Sequence, residues 1–232
     1  MNVNKHFFPN WSIALIYLLS VMLVNTVEAG CYDKKSPGMD WSGCKKTNKM
    51  LDDENFSGSK FDNAKLMMSN LDNSNFTDAS LVKADLTRAS FNWSNFSGAD
   101  LTKAVGYRTK FNGAIFSKTR MTKSEFSRAS FEGAEFSNID WSRSELGRAN
   151  FRDAQLTEVS FEYSNISRAI FNDARLTGVT FSGAYTYLTR FEDVDLRMTS
   201  ELSQAQIDIA CGNEKTQLPQ GLAKPANWLC LE

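Results

Sequence analysis

Few side chains in these 232 residues could carry out chemistry. His6 is the only histidine, and it precedes an apolar run at the extreme N-terminus. One imidazole in that position excludes Ser-His-Asp and Cys-His nucleophile systems, histidine general bases and most zinc sites. Neither a GxxxxGK[ST] phosphate cradle nor a GxGxxG turn is present. The cysteines (Cys31, Cys44, Cys211 and Cys230) sit in two pairs near the ends, with no CxxC spacing. Carboxylate pairs do occur, at Asp52-Asp53, Asp153 with Asp173, and Glu192-Asp193. A glycosidase, however, needs two carboxyls converging across a cleft. The expectation is a protein that is not an enzyme and takes no cofactor and no metal. The most regular chemical spacing is cationic. Arg88, Arg108, Arg128, Arg148 and Arg168 recur every twenty residues, and Lys83, Lys103, Lys123 and Arg143 stand five places before four of them. Evenly spaced guanidinium groups suit anion recognition.

A periodic frame must position such rows. Every fifth residue from Leu51 to Leu196 is Leu, Phe, Met, Ile or Trp, apart from Gly106 and Thr186. The residue two places earlier is usually small, as at Ala64, Ala79, Ala84, Ala89, Ala149 and Ala169. Helices repeat at about 3.6 residues and strands at about 2, so neither keeps this pattern on one face. A coil with five residues to a side and four sides to a turn does. Both the large and the small residue then point inward, and stacked turns bury what one turn cannot. Like residues fall above like at this spacing. The first side reads Leu51, Leu71, Phe91, Phe111, Phe131, Phe151, Phe171, Phe191, and the second Phe56, Phe76, Phe96, Phe116, Phe136, Leu156, Leu176, Leu196. The third side is mixed (Phe61, Leu81, Leu101, Met121, Trp141, Phe161, Phe181), and the fourth carries both exceptions beside Tyr107, Tyr185 and Tyr187. We read the exceptions as local bulges, with a binding notch as the alternative.

The run resembles the pentapeptide-repeat family, whose motif is A-(D/N)-L-x-x, over about two thirds of the chain. The resemblance implies an all-β fold, a right-handed quadrilateral β-helix of about seven and a half coils, roughly 36 Å long at strand spacing. Pro9, Pro37, Pro219 and Pro225 all lie outside the repeat, where none can delete a ladder hydrogen bond.

Residues 1–29 read as a signal peptide: Lys5 and His6, the apolar run Ser12–Val24, and a small-x-small site at Val27-Glu28-Ala29. A periplasmic or secreted bacterial protein, Gram-negative by preference, follows. A lipid anchor at Cys31 is the lesser reading, because Glu28 stands where a lipobox wants an aliphatic residue. An uncleaved leader is a further alternative. Residues 30–50 and 201–232 are expected to cover the open ends of the coil at 51–200. Trp41 should lie on the first aromatics and Trp228 should anchor the tail. Ser203-Gln204-Ala205-Gln206 is a capping box that predicts a short C-terminal capping helix from Gln204 to about Cys211, with Leu202 and Ile207 as its staple. On a rod of this length only the pairing Cys31–Cys44 with Cys211–Cys230 leaves the two ends apart.

On the coil, the arginine and lysine rows fall on the fourth and third sides. Asp52, Asp53, Asp72, Glu132, Asp153, Asp173, Glu192 and Asp193 fall on the first, so the side opposite the arginine ridge is expected to be acidic. Solvation and the nearby Asp85, Glu125 and Glu145 are one account of the ridge; docking of an acidic protein face or an anionic polymer is the sharper one. The function expected is a non-catalytic exported structural or interaction module, with no membrane span once the leader is removed and with a homodimer left open. The family implies an alternative, a DNA mimic that binds gyrase. It needs a strongly acidic cytoplasmic surface, whereas this chain has a net charge of −1, so nucleic-acid-related partners are not favoured.

Overall fold

A computed structural model describes residues 29–226 and 228. The expected leader therefore lies outside the described residues, apart from Ala29. From Asp40 onward the backbone pairs with itself at one fixed offset. Asp40 bridges Lys60, Lys45 bridges Lys65, Met50 bridges Asn70 and Asn55 bridges Asn75, all parallel, and the series continues to Thr180 with Ser200. Residues twenty apart are thus neighbours along one axis. On one side the bridges lengthen into strands: β1 (Ile115–Ser117), β2 (Glu135–Asp140), β3 (Gln155–Ser160) and β4 (Arg175–Thr177), paired parallel in that order. The ladder already runs through residues 40–50, so the segment expected as a cover also follows the coil.

The peptide groups account for the motif. In each five-residue segment the central N–H donates to the next coil, as from Phe61 to the Ser80 carbonyl at 2.7 Å. The residue two places on also donates to the next coil (Asn63 to Val82, 2.9 Å), and the third closes a tight turn (Ala64 to the Phe61 carbonyl, 2.9 Å). The residue before the centre donates to the previous coil (Lys60 to Met39, 2.8 Å). One N–H per segment, just after the centre, has no backbone acceptor in this scheme. On many segments an Asp or Asn two places earlier accepts it: Thr77 donates to Asn75 Oδ1 (3.0 Å), Thr87 to Asp85 Oδ1 (3.0 Å) and Thr102 to Asp100 Oδ1 (2.9 Å). This is why the motif carries D/N before the large residue: a buried donor must find an acceptor, and short Asx side chains reach their own backbone.

Inside, the rings stack along the axis. Centroids from Phe91 to Phe111, Phe131, Phe151 and Phe171 are separated by 5.3, 5.2, 5.1 and 4.8 Å, each pair within 13° of parallel. The second side repeats this from Phe76 through Phe96 and Phe116 to Phe136, at 4.9, 5.1 and 4.9 Å. Rings from different sides meet edge to face, as Phe96 and Phe111 do at 5.6 Å and 76°, the geometry that the ring quadrupole favours. On several coils a buried Ser or Thr at the small position donates its hydroxyl to a carbonyl of the preceding coil, as Thr109 does to Leu86 (2.8 Å) and Ser144 to Met121 (3.0 Å), whereas Ser164 donates within its own turn to Phe161 (2.7 Å).

Each end carries a packed tryptophan. Trp41 is buried, with its ring 6.0 Å from Phe56 and 5.9 Å from Phe61. Cys31 and Cys44 form a disulfide with a Cα–Cα distance of 5.5 Å. Cys211 is also disulfide-bonded, and its expected partner Cys230 lies outside the described residues. At the other end α1 (Gln204–Asp208) begins with the capping box in place. Trp228 is buried and donates from Nε1 to the Ala210 carbonyl at 3.0 Å.

Three expectations need correction. The helix stops at Asp208, capped by Ile209, rather than reaching Cys211, because Cys211 rejoins the ladder opposite Arg190. Gly106 is not a bulge: its N–H donates to Glu125 at 2.7 Å in unbroken register. The place a side chain would take there is filled by the Phe126 ring from the next coil. Thr186 is no bulge either. It is fully buried, and its hydroxyl donates to the Gln206 carbonyl at 2.8 Å, tying α1 to the last coil.

Candidate interaction surface

The fold places the cationic rows by a single rule. Arg88, Arg108, Arg128, Arg148 and Arg168 each occupy the third position of the tight turn that follows a fourth-side centre. There the backbone is left-handed, with φ between 57° and 61°. Lys83, Lys103, Lys123 and Arg143 hold the same position on the third side, at φ 57° to 59°. A turn of this kind favours Gly or Asn, and an L-residue with a Cβ costs roughly 1–2 kcal/mol there. Elsewhere the position holds Asn63, Asn73 and Gly113, but also Met68, Trp93, Lys118, Glu158 and Tyr163. On the fourth side five successive coils carry arginine instead.

The backbone beneath the ridge is fully engaged. Arg88 donates from its N–H to Tyr107 (3.0 Å), Arg128 to Gly147 (2.9 Å), Arg148 to Ser167 (2.8 Å) and Arg168 to Tyr187 (2.8 Å). The side chains are exposed. Among the described residues the ion pairs are Lys35–Glu54, Arg120–Asp100, Arg190–Glu192, Arg197–Asp195 and Lys215–Asp193, so none of the nine ladder residues has an anionic partner. What the guanidinium groups do meet is tyrosine. Arg108 and Arg128 lie 5.2 and 5.8 Å from the Tyr107 ring, and Arg168 lies 5.9 Å from Tyr187. Tyr185 and Tyr187 are stacked at 6.2 Å and 12°. These tyrosines are 37–53% exposed. The sequence marked them only as neighbours of the two irregular positions; their role beside the arginines appears when twenty-residue neighbours are set side by side.

The expected charge map also needs correction. Ser90 is followed directly by Phe91, so the first side adjoins the arginine ridge and lies across the lumen from the third side, whose Trp141 meets Phe131 at 5.4 Å. Nor is that side a continuous acidic row. Asn92, Asn112, Arg152 and Asn172 interrupt it, and Asp72 is committed to the Ser90 hydroxyl (2.6 Å) and the Asn92 N–H (2.7 Å).

A separate open depression of about 260 Å³ lies on the second side against Ile115, Glu135, Ser137, Gln155 and Thr157. Glu135 is its one ionisable lining group. Among the described residues no cluster of His, Cys, Asp or Glu could hold a metal ion, and no helix is long and apolar enough to cross a membrane.

The family model described as "Pentapeptide repeats" matches in eight copies over residues 55–92, 84–122, 124–162 and 154–197. The chain belongs to the pentapeptide-repeat family. No curated protein sequence matches it. Among solved structures it is similar to HetL, a pentapeptide-repeat protein involved in heterocyst differentiation regulation in the cyanobacterium Nostoc sp. strain PCC 7120. The identity is 21%, over 89% of this chain and 91% of that one, with a TM-score of 0.38. It is also similar to QnrB1, a plasmid-mediated fluoroquinolone resistance protein, at 21% identity over 76% and 88% of the two chains, with a TM-score of 0.44. A pentapeptide-repeat protein of the Arabidopsis thaliana thylakoid lumen shares 24% identity over 51% of this chain and 77% of its own, with a TM-score of 0.34.

Proposed function

We propose that this pentapeptide-repeat protein is a non-catalytic interaction module. It is read as a right-handed quadrilateral rod of about seven and a half coils at strand spacing, exported by its leader to the periplasm or beyond. The rod presents the fourth-side arginine ridge to a polyanionic or acidic partner. One observation carries the reading: five arginines without anionic partners occupy a backbone conformation that disfavours them. Their mutual repulsion, under roughly 1 kcal/mol per neighbour at about 5 Å in water-like dielectric, adds to that cost. Tyrosine contacts offset part of this at Arg108, Arg128 and Arg168, but Arg88 and Arg148 make no such contact among the described residues, and selection by a ligand accounts for them. The near-neutral charge and the interrupted first side offer no acidic face of the kind a DNA mimic needs, so that reading is not favoured.

The test is binding of a generic polyanion to the full chain at low salt, with disulfides intact. The wild type binds in a salt-sensitive manner, and the triple reversal Arg108→Glu, Arg128→Glu, Arg148→Glu removes binding while leaving circular dichroism unchanged. Absence of wild-type binding at low salt refutes the proposal.

A further inference from the structure

We infer that the corner where the fourth side meets the first, at the N-terminal end of the rod, binds a soft monovalent metal ion, Cu(I), through three methionine thioethers. The inference does not depend on the arginine ridge. Among the described residues methionine stands at 39, 50, 67, 68, 121 and 198. Met39 and Met121 are buried and belong to the core. Met198 is exposed, but it follows Leu196 on the second side of the last coil. Met50, Met67 and Met68 share one corner.

The coil brings them together. Met50 stands just before the first-side centre Leu51, and Met67 and Met68 stand just after the fourth-side centre Leu66. The offset of twenty lays Met68, Ser69 and Asn70 over Asn48, Lys49 and Met50. Asn70 bridges Met50, the Asn70 N–H donates to the Lys49 carbonyl at 2.8 Å, and the Asn48 N–H donates to the Met67 carbonyl at 3.0 Å. Met50 and Met68 are therefore diagonal neighbours on adjacent coils, at about 7–8 Å, a separation that long side chains bridge. Met50 is 72% exposed and Met68 48%, and Met67 is part-exposed. Met68 also occupies the left-handed turn position, at φ 57°. Core packing accounts for none of the three. An unbranched thioether side chain has the rotational freedom to turn its sulfur toward a shared ion.

The donor set selects the ion. Thioethers are soft, uncharged ligands that favour Cu(I). Calcium and magnesium need carboxylate or carbonyl oxygens, and the outward residues before and between the methionines, Lys45, Asn48, Lys49, Lys65 and Asn70, include no carboxylate. The ammonium groups among them repel a dication more strongly than a monocation. Imidazole, which suits zinc and Cu(II), is absent from residues 7–232. Cys31, Cys44 and Cys211 are held in disulfides, which leaves methionine to supply the soft donors on the described surface.

The experiment is an anaerobic Cu(I) titration of the full chain, disulfides intact, in competition with a chromogenic Cu(I) chelator. The wild type is expected to take up a single equivalent. The triple variant Met50→Leu, Met67→Leu, Met68→Leu, which conserves side-chain volume, should take up none while its circular dichroism is unchanged. His6→Gln should leave uptake as it is in the wild type. Methionine methyl resonances give a second readout on the wild type: those of Met50, Met67 and Met68 should shift with added Cu(I), and those of Met39, Met121 and Met198 should not. If the triple variant misfolds, these resonances decide alone. The site is overturned if the wild type takes up no Cu(I), if the folded triple variant takes up as much, if His6→Gln abolishes uptake, or if the methyl shifts fall on the other methionines.

Discussion

If the arginine ridge is kept for a ligand, its removal should make the rod more stable. Take Arg88, at φ 58°, which makes no ring contact of the kind that holds Arg108, Arg128 and Arg168. Glycine at this position relieves a left-handed strain of roughly 1–2 kcal/mol. It also frees the unfolded chain by about 0.4–1 kcal/mol, which acts in the opposite direction. The net expectation for Arg88→Gly is a gain of about 0.5 kcal/mol, and Arg88→Ala, which keeps the Cβ, should not show it. Replacing all five arginines by glycine should yield about 1 kcal/mol, because cation–π contacts of about 0.5–1 kcal/mol each are lost at Arg108, Arg128 and Arg168. For a chain of this size that corresponds to a rise of roughly 2–4 °C in the thermal midpoint, to which the relieved repulsion adds. An all-glutamine set serves as the control: it keeps the Cβ strain and removes the repulsion and the cation–π contacts. The assay is thermal unfolding by circular dichroism beside polyanion titration. A glycine set that melts lower than wild type refutes the strain argument. A glycine set that melts higher and still binds shows that the ridge is not the docking face.

Three other expectations follow from the frame. Phe131→Ala removes a fully buried ring stacked on Phe111 at 5.2 Å and Phe151 at 5.1 Å, and should cost about 3–5 kcal/mol in urea unfolding; a loss below about 1 kcal/mol would contradict a solid aromatic core. Reduction of Cys31–Cys44, which closes a sequence separation of 13, should destabilise the first coils by about 3 kcal/mol in the chain-entropy account, read as loss of amide exchange protection around Trp41. The pH profile should be flat where histidine would normally titrate, since His6 is the sole imidazole. Hydrogen bonds from Ser42 hold the Asp40 carboxyl below its ordinary value, and the Arg197 guanidinium does the same for Asp195. A lowered carboxylate pKa supplies stability above the unfolded value, near 3.9, and that stability is lost as pH falls through the lower folded values. The thermal midpoint should therefore begin to fall below about pH 4 and not before.

The parts of the fold legible in the sequence were those governed by one repeated interaction. A ring at every twentieth position finds its like directly above it, so the Phe91-to-Phe171 stack could be read by counting. The capping box and Trp41 could be read because each is a local device. The misreadings share a different cause. Gly106 looks like a missing large residue when segments are read singly, but the space belongs to a pair of coils, and Phe126 fills it from the next one. Thr186 looks like the same defect, yet it answers to α1, a contact that no repeat can encode. The charge map failed at a corner: sorting residues by side does not say which sides touch, and the first and fourth touch because the chain runs straight from one into the other.

The frame also explains why function would settle on outward rows. Each coil is held by peptide bonds to its neighbours, inward rings and buried hydroxyls, none of which depends on the residue at the third turn position beyond its tolerance of φ near 57°. Asn, Asp, Gly, Lys, Arg, Trp and Tyr all occupy that position somewhere along this rod. Substitution there shifts stability by about a kcal/mol or so, whereas substitution of a central ring shifts it by several. A surface repeating at strand spacing and free to vary at low cost can be matched to a periodic ligand one coil at a time. Five arginines in line, retained against the local preference of the backbone, are the outcome expected of such matching. On the adjoining first side the same position holds Asp53, Asn73, Trp93, Gly113, Gly133, Asp153, Asp173 and Asp193, with no basic residue, so the backbone conformation does not itself call for arginine.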